Sequence, residues 1–323
     1  MDKRVYTSYY SAMRRTRDTI GETIVESYKR FGGINHIDGV NLPSRDAIIE
    51  ISRDLLKLVF PGFYDQHPIH SNEIADYTQE LVASISRRLQ HEVRKSLEYR
   101  PCPDCDGKRL DDEAIRFTHD FLWEIPAVRG ILQSDVLAAY EGDPAAISQD
   151  EIIVAYPGIM AIAVQRLAHV LYQKHVALIP RIMTEYAHGS TGIDIHPGAQ
   201  IGAEFFIDHG TGVVIGETTV IGKRVKIYQG VTLGAKSFRK DEEGHILKGE
   251  KRHPNIEDDV TIYAGATILG NVTIGRGSVI GGNVWLLDSV PAETFVYYEG
   301  GQTKTRQADE TMKKMMLGQK TRQ

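Results

Sequence analysis

The chain has 323 residues and a formal charge of −5, from 38 Lys and Arg against 43 Asp and Glu. That length leaves room for two domains. The acidic balance argues against nucleic acid or an anionic membrane as a partner. Cys102 and Cys105, the only cysteines, form a Cys-Pro-Asp-Cys turn. This is half of a zinc-ribbon spacing with no second half, so reduced surface thiols and no metal are expected. No apolar run follows Met1-Asp2-Lys3-Arg4, so no signal peptide is expected. The longest apolar stretch, near Ile159 to Tyr172, is interrupted by Gln165, Arg166 and His169 and is too short to span a bilayer. A cytoplasmic location is the expectation.

In chain order, an amphipathic helix is predicted over Tyr9–Phe31, ending at Gly32-Gly33. Pro43-Ser44 opens a second helix through Phe60, with Ile48, Ile49, Leu55, Leu56 and Val59 at helical spacing. A long third helix runs from Ser71 to about Tyr99, and further helices are expected near Asp111–Trp123 and Pro126–Tyr140. Glu141-Gly142-Asp143-Pro144 reads as a turn, followed by helices near Gly158–His175 and Pro180–Ala187.

A different periodicity then takes over. Ile195, Ile201, Ile207 and Val213 recur every six residues, as do Ile215, Ile221, Ile227 and Leu233. A third series runs Ile256, Ile262, Ile268, Ile274, Ile280 and Leu286. A hexapeptide period is the mark of a left-handed parallel β-helix, three hexads closing one triangular coil with the aliphatic residue inward. The fold class expected is therefore α+β: an all-α N-terminal domain at 1–190, a β-helix at 191–290 and a polar tail at 291–323, with a short helical pattern at Ala308–Leu317.

The period breaks twice. It slips by two residues between Val213 and Ile215, and Ala235 to Pro254 separates Leu233 from Ile256. Breaks of local consistency commonly mark functional sites, and polar residues gather at both: Asp194, His196, Asp208, His209, Glu217, Arg252 and His253. Asp194 precedes His209 by somewhat less than one coil, so it is expected to hold one imidazole nitrogen while the other takes a proton, as a general base requires. His196 is expected to be structural, with no acidic neighbour suitably placed.

Three runs carry a resemblance: Asp194-Ile195-His196-Pro197-Gly198-Ala199; Ile207-Asp208-His209-Gly210-Thr211-Gly212-Val213-Val214-Ile215-Gly216-Glu217-Thr218; and Gln229-Gly230-Val231-Thr232-Leu233-Gly234. With Arg252-His253-Pro254-Asn255-Ile256 and Ala264-Gly265-Ala266-Thr267-Ile268-Leu269-Gly270, the chain resembles the serine O-acetyltransferases over about residues 141–290. The resemblance implies transfer of acetyl from acetyl-CoA to the L-serine hydroxyl, by direct attack in a ternary complex, for cysteine synthesis. It implies His209 as base with Asp194 behind it. Asp143 and Asp208 would bind the serine ammonium, and Arg252 and His253 its carboxylate. Gly234 and Ala264 would line the acetyl-CoA path, and Lys236, Arg239, Lys240, Lys248 and Lys251 would meet its phosphates.

The resemblance also implies a homotrimer or a dimer of trimers, with His209 and His253 supplied by different subunits. Ala235-Lys236-Ser237-Phe238 and the segment Ala292 to Glu299 depart from the family pattern. The terminal Lys320-Thr321-Arg322-Gln323 lacks the isoleucine with which many members engage O-acetylserine sulfhydrylase, so that partner is not expected. Three readings compete: a hexapeptide acetyltransferase for another amino acid or a sugar, a γ-type carbonic anhydrase, and a non-catalytic assembly module. Paired carboxylates opposite an Arg/His pair favour a zwitterionic acceptor. His196, His209 and His253 lack the close spacing that a metal site uses.

Overall fold

The computed structural model describes residues 19–99, 107–237, 241–247 and 249–298. Cys102, Cys105, Arg239, Lys240, Lys248 and the predicted helix at Ala308–Leu317 lie outside them. Two compact units divide the chain, Met1–Asn41 and Leu42–Gln323. In the first, residues 19–30 form helix α1. In the second, α2 (Arg45–Val59), α3 (Ile74–Glu98), α4 (Gly107–Trp123) and α5 (Ile125–Gly142) lead to α6 (Gln149–Ala155), α7 (Pro157–Gln173) and α8 (Ile179–Thr191).

The helix ends follow capping chemistry. Ser44 accepts the Ala47 N–H at 3.3 Å to start α2, whose Ile48, Ile51, Leu55, Leu56 and Val59 are buried. Proline occupies the first turn of α5, α7 and α8, where its missing N–H costs nothing. Gly192 ends α8 in the left-handed conformation, with φ 72°. Helix α6 was not expected from the sequence. Its signal is the Ser-x-x-Glu spacing at 148–151: the Ser148 hydroxyl accepts the Glu151 N–H at 3.1 Å, and the Glu151 carboxylate accepts the Ile147 N–H at 2.7 Å. A second difference is that α5 runs through Gly142, which makes Asp143 its C-cap rather than part of a free turn.

After α8 the chain winds into a parallel β-helix that has fourteen strands among the described residues, each two or three residues long. Sheet A stacks β1 (Asp194–Ile195), β4 (Val214–Ile215), β7 (Thr232–Gly234), β10 (Thr267–Leu269) and β13 (Trp285–Leu286). Sheet B stacks β2 (Gln200–Ile201), β5 (Val220–Ile221), β8 (Asn255–Ile256) and β11 (Thr273–Ile274). Sheet C stacks β3 (Phe206–Ile207), β6 (Lys226–Ile227), β9 (Thr261–Ile262), β12 (Val279–Ile280) and β14 (Phe295–Val296). The period-six aliphatics point inward, as expected, and a second buried residue two positions earlier fills each corner: Phe205, Val225, Val231, Val260 and Ala266 are all completely buried.

That second position locates the slip more closely than the sequence did. Val213 belongs to the corner set, two before Ile215, as Val231 is two before Leu233. The extra two residues therefore lie between Ile207 and Val213, in the turn that carries His209. His209, Gly210 and Gly212 all have positive φ there, at 58°, 83° and 79°.

The helices cap the solenoid's open end. Strands β1 to β3 have no preceding coil, so their outer carbonyls need other donors. The three polar residues that interrupt α7 serve them. Gln165 donates to Ala199 O at 2.9 Å, Arg166 to Ile201 O at 2.9 Å and Gly202 O at 2.7 Å, and His169 Nδ1 lies 2.7 Å from Pro197 O. At the start of α7, a Cβ on Gly158 would lie 2.6 Å from Ile207 O, so the helix backbone rests directly on β3. Arg166 is itself held by Asp135 of α5, at 2.7 and 2.9 Å, and Asp135 also accepts the Phe205 N–H at 2.9 Å. Among the described residues no single helix is long and apolar enough to cross a membrane.

Candidate active site

Sheet A has two long edges, and the candidate residues divide between them. The edge where the chain passes from sheet C into sheet A carries the turn 208–213. The Asp208 side chain is nearly buried, whereas that of His209 is 69% exposed, with its Nδ1 3.7 Å from Asp208 Oδ1. The left-handed backbone at His209 turns its ring out of the coil, and the adjacent glycines permit the tight path.

Asp143 stands by the same edge. It is the C-cap of α5. Its carboxylate takes the Tyr156 hydroxyl at 2.5 Å on one oxygen and the Ala145 N–H at 2.8 Å on the other. The Tyr156 hydrogen bond, then the Ala145 N–H, hold Asp143 below the usual carboxylate range. Tyr156 is pushed up to about 12, mainly by that hydrogen bond, so it remains a donor. Asp143 and Tyr156 also lie within electrostatic reach of His209 and Asp208 respectively, the smallest of the influences on each.

The other edge, where the chain leaves sheet A for sheet B, carries Gly216-Glu217-Thr218 and the end of the long loop. The Thr218 N–H and hydroxyl both reach His253 Nδ1, at 3.1 and 2.9 Å, while the Thr218 oxygen accepts the Arg252 and His253 N–H groups at 3.0 and 3.2 Å. An accepting Nδ1 leaves the proton of the neutral ring on Nε2. Its ring lies against the Gly216 backbone: a Cβ there would meet Cδ2 and Nε2 at 2.2 Å. Arg252 pairs with Glu217, which also receives the Tyr172 hydroxyl at 2.9 Å. Burial alone would raise Glu217, but the Arg252 and Tyr172 hydrogen bonds outweigh it and hold the carboxylate ionised.

Burial, followed by the field of Arg252, pushes the His253 imidazole down to about 4. The ordinary histidine value is about 6.5, so between about pH 6.5 and 4 the unfolded chain binds the proton that the folded chain refuses. The neutral ring therefore contributes stability that is complete above about pH 6.5 and is lost as the pH falls toward 4. An NMR titration of the His253 ring is expected to show its midpoint near pH 4. A midpoint at or above the ordinary value would remove the neutral-donor assignment.

Two expectations need correction. The hydrogen bond expected between Asp194 and His209 is not formed within the chain: the Asp194 carboxylate lies 3.9 Å from Arg181, and the carboxylate beside His209 is Asp208. His209 sits in the turn that holds the two extra residues, with φ 58°. His196 does have an acidic neighbour in Glu217, whose field it feels, although burial is the larger influence and lowers it. Its Nδ1 accepts the Gly198 N–H at 3.0 Å and its ring meets Tyr172 edge-on, in keeping with a structural role.

The acetyl-CoA residues also fall on both edges. Gly234 ends β7 on the Arg252 side, and Ala264 lies in the turn after β9 on the His209 side. A Cβ at 234 would stand 2.8 Å from the end of the Leu269 side chain, which would have to shift to admit it. Lys251, expected at the phosphates, is exposed and its ammonium donates to Thr218 O at 2.5 Å. Tyr156, Tyr172 and Thr218 were not singled out as site residues, and Glu217 was grouped with the site without a role. Glu217 and Thr218 lie at the end of the run Ile207 to Thr218.

A triangular coil of hexads, with a histidine and carboxylates at one edge and an Arg/His pair at the other, defines a hexapeptide-repeat transferase. Residues 253–288 match the family model of bacterial transferase hexapeptides with six repeats. A plasmid-borne serine acetyltransferase of Synechococcus elongatus is 50% identical over 259 residues, covering 79% of this chain and 81% of that protein. Entamoeba histolytica serine acetyltransferase 1, solved with L-cysteine, superposes with a TM-score of 0.67 at 38% identity, covering 77% of this chain and 86% of that one. The Neisseria gonorrhoeae serine acetyltransferase solved with serine gives 0.51 at 26% identity, covering 83% and 100%. The chain belongs to the serine acetyltransferase family. The Synechococcus likeness is longer than the motif-bearing stretch 141–290 alone.

Proposed function

We propose that this enzyme acetylates the side-chain hydroxyl of L-serine with acetyl-CoA, by direct attack, in a site that two copies of the chain complete. The single observation that carries this reading is the division of the site between the two edges of sheet A. Asp143, Asp208 and His209 suit a cationic amino group and a hydroxyl to be deprotonated. Arg252 and the neutral His253 N–H suit a carboxylate. One zwitterionic amino acid needs both sets at once, and a neighbouring coil that sets one edge against the other supplies them. Three prisms joined head to tail close a ring, which is the geometry of a homotrimer. Relatives solved with serine and with L-cysteine fit a zwitterionic acceptor.

In this reading His209 takes the hydroxyl proton as the oxygen attacks the thioester carbonyl, and returns it to the departing CoA sulfur as the C–S bond breaks. Asp208, at 3.7 Å, stabilises the imidazolium. Asp194, on the strand paired with β4, is given no part in the step within one chain. Gly234 and Ala264 line the acetyl-CoA path from the two sides.

A mixing experiment tests the shared site. His209→Ala and Arg252→Ala chains, each nearly inactive alone in serine-dependent CoA release, are co-assembled in equal amounts. If neighbouring copies share each site, about a quarter of the sites regain both halves, and activity returns to about that fraction of wild type. If each site lies within one chain, every chain carries a defect and none returns.

A further inference from the structure

We infer that Lys226 is a positioning residue for the acceptor site, holding the turn that carries Asp143 and so setting affinity for the acceptor's ammonium group. The inference rests on the acceptor reading above, and adds a residue that none of the motifs contains.

Lys226 opens β6, directly in register with Phe206 of β3. Its ammonium lies 4.8 Å from the centre of the Phe206 ring and 4.9 Å from that of Tyr228, and donates to Gly142 O at 2.5 Å. Tyr228 is in turn stacked on Tyr263, with ring centres 5.0 Å apart and planes 15° from parallel. Gly142 is the last residue of α5, so its carbonyl belongs to the set that a helix leaves without internal partners. A cation there also meets the negative end of the helix dipole. The approach depends on glycine, since a Cβ at 142 would lie 2.8 Å from the Phe206 ring. The helix end is pressed onto that ring, and the lysine pins it from the side.

Asp143 is the next residue, and Tyr156 and Ala145 fix the direction of its carboxylate. Those bonds fix the side chain relative to its own loop and to α7. Among the described residues, the Lys226 ammonium makes the hydrogen bond that ties the backbone of the turn to the β-helix strand below Asp208. Without the ammonium, the Gly142 carbonyl faces two aromatic rings and the turn shifts to find water. Asp143 then moves relative to Asp208, and the two carboxylates no longer converge on one cation. The lysine charge also opposes an incoming ammonium, but it is engaged by the carbonyl and two ring faces, so the loss of positioning outweighs the relief of repulsion.

Lys226→Met keeps the side-chain stem across Phe206. It is expected to raise the serine KM about tenfold, the scale of one hydrogen bond to a charged group, with kcat and the acetyl-CoA KM within about twofold. Lys226→Arg is expected to restore most of the loss. A second measurement needs no acceptor: amide hydrogen exchange at Asp143 and Ala145 is expected to quicken in Lys226→Met and to recover in Lys226→Arg. Wild-type chain without serine-dependent CoA release would sink the acceptor reading, and the exchange arm then decides the lysine's role. Unchanged exchange, or a serine KM that stays put or falls in an otherwise active variant, overturns the inference. Should Lys226→Met fail to fold, Lys226→Gln carries the same two measurements.

Discussion

His209→Ala is expected to lower kcat for serine acetylation by about 10²–10⁴-fold, the range for removing a positioned general base. That corresponds to about 3–5.5 kcal/mol of barrier at 1.4 kcal/mol per decade. Acetyl-CoA and serine binding should change much less, because the ring is 69% exposed and its recorded contact in the chain is with Asp208. Folding is the confounding variable. His209 sits at φ 58°, where alanine costs about 1–2 kcal/mol and asparagine is tolerated. His209→Asn therefore separates chemistry from backbone strain: it should be as inactive as His209→Ala yet more stable. Either variant keeping more than a tenth of wild-type turnover would exclude His209 as the base. The measurement is CoA thiol release with L-serine, alongside thermal unfolding of both variants.

The largest structural effect is expected from Asp135→Ala. Asp135 is fully buried and Arg166 nearly so. The carboxylate holds both arms of the guanidinium and also takes the Phe205 N–H. Removing one partner strands a buried charge, which costs about 3–5 kcal/mol. A domain has about 5–15 kcal/mol in all, so the urea midpoint should fall by about a fifth or more. The consequence is specific to this fold, because Arg166 caps the carbonyls of Ile201 and Gly202 at the open end of the solenoid. Loss of the pair should loosen α5 and α7 from the first coil before the coils themselves unwind. Replacing both groups, Asp135→Leu with Arg166→Met, should recover part of the loss, because no charge is then left unpaired. A loss below about 1 kcal/mol for Asp135→Ala would mean that the carbonyl contacts alone suffice.

The β-helix was legible because its rule is local. An aliphatic residue every six positions, followed by small or turn-forming residues, specifies strand, corner and inward face without reference to anything distant. The same locality exposed Asp208-His209 and Arg252-His253, since each pair stands where that rule fails. Most helices were equally readable from their spacing and prolines, and α6 was missed only because seven residues offer too little period to see.

What the sequence could not convey are pairings between distant positions that share no period. Gln165, Arg166 and His169 read as interruptions of an apolar helix, and only packing shows that they satisfy carbonyls 28 to 36 residues further on. The contact of Lys226 with Gly142 spans 84 positions, and that of Arg252 with Glu217 spans 35. The carboxylate beside His209 is Asp208, while that of Asp194 lies 3.9 Å from Arg181. Composition and period determined that this chain coils and which residues stand at its corners. The tertiary structure alone decided which edge of sheet A each of them occupies, because that depends on how many residues each turn contains and what packs beside it.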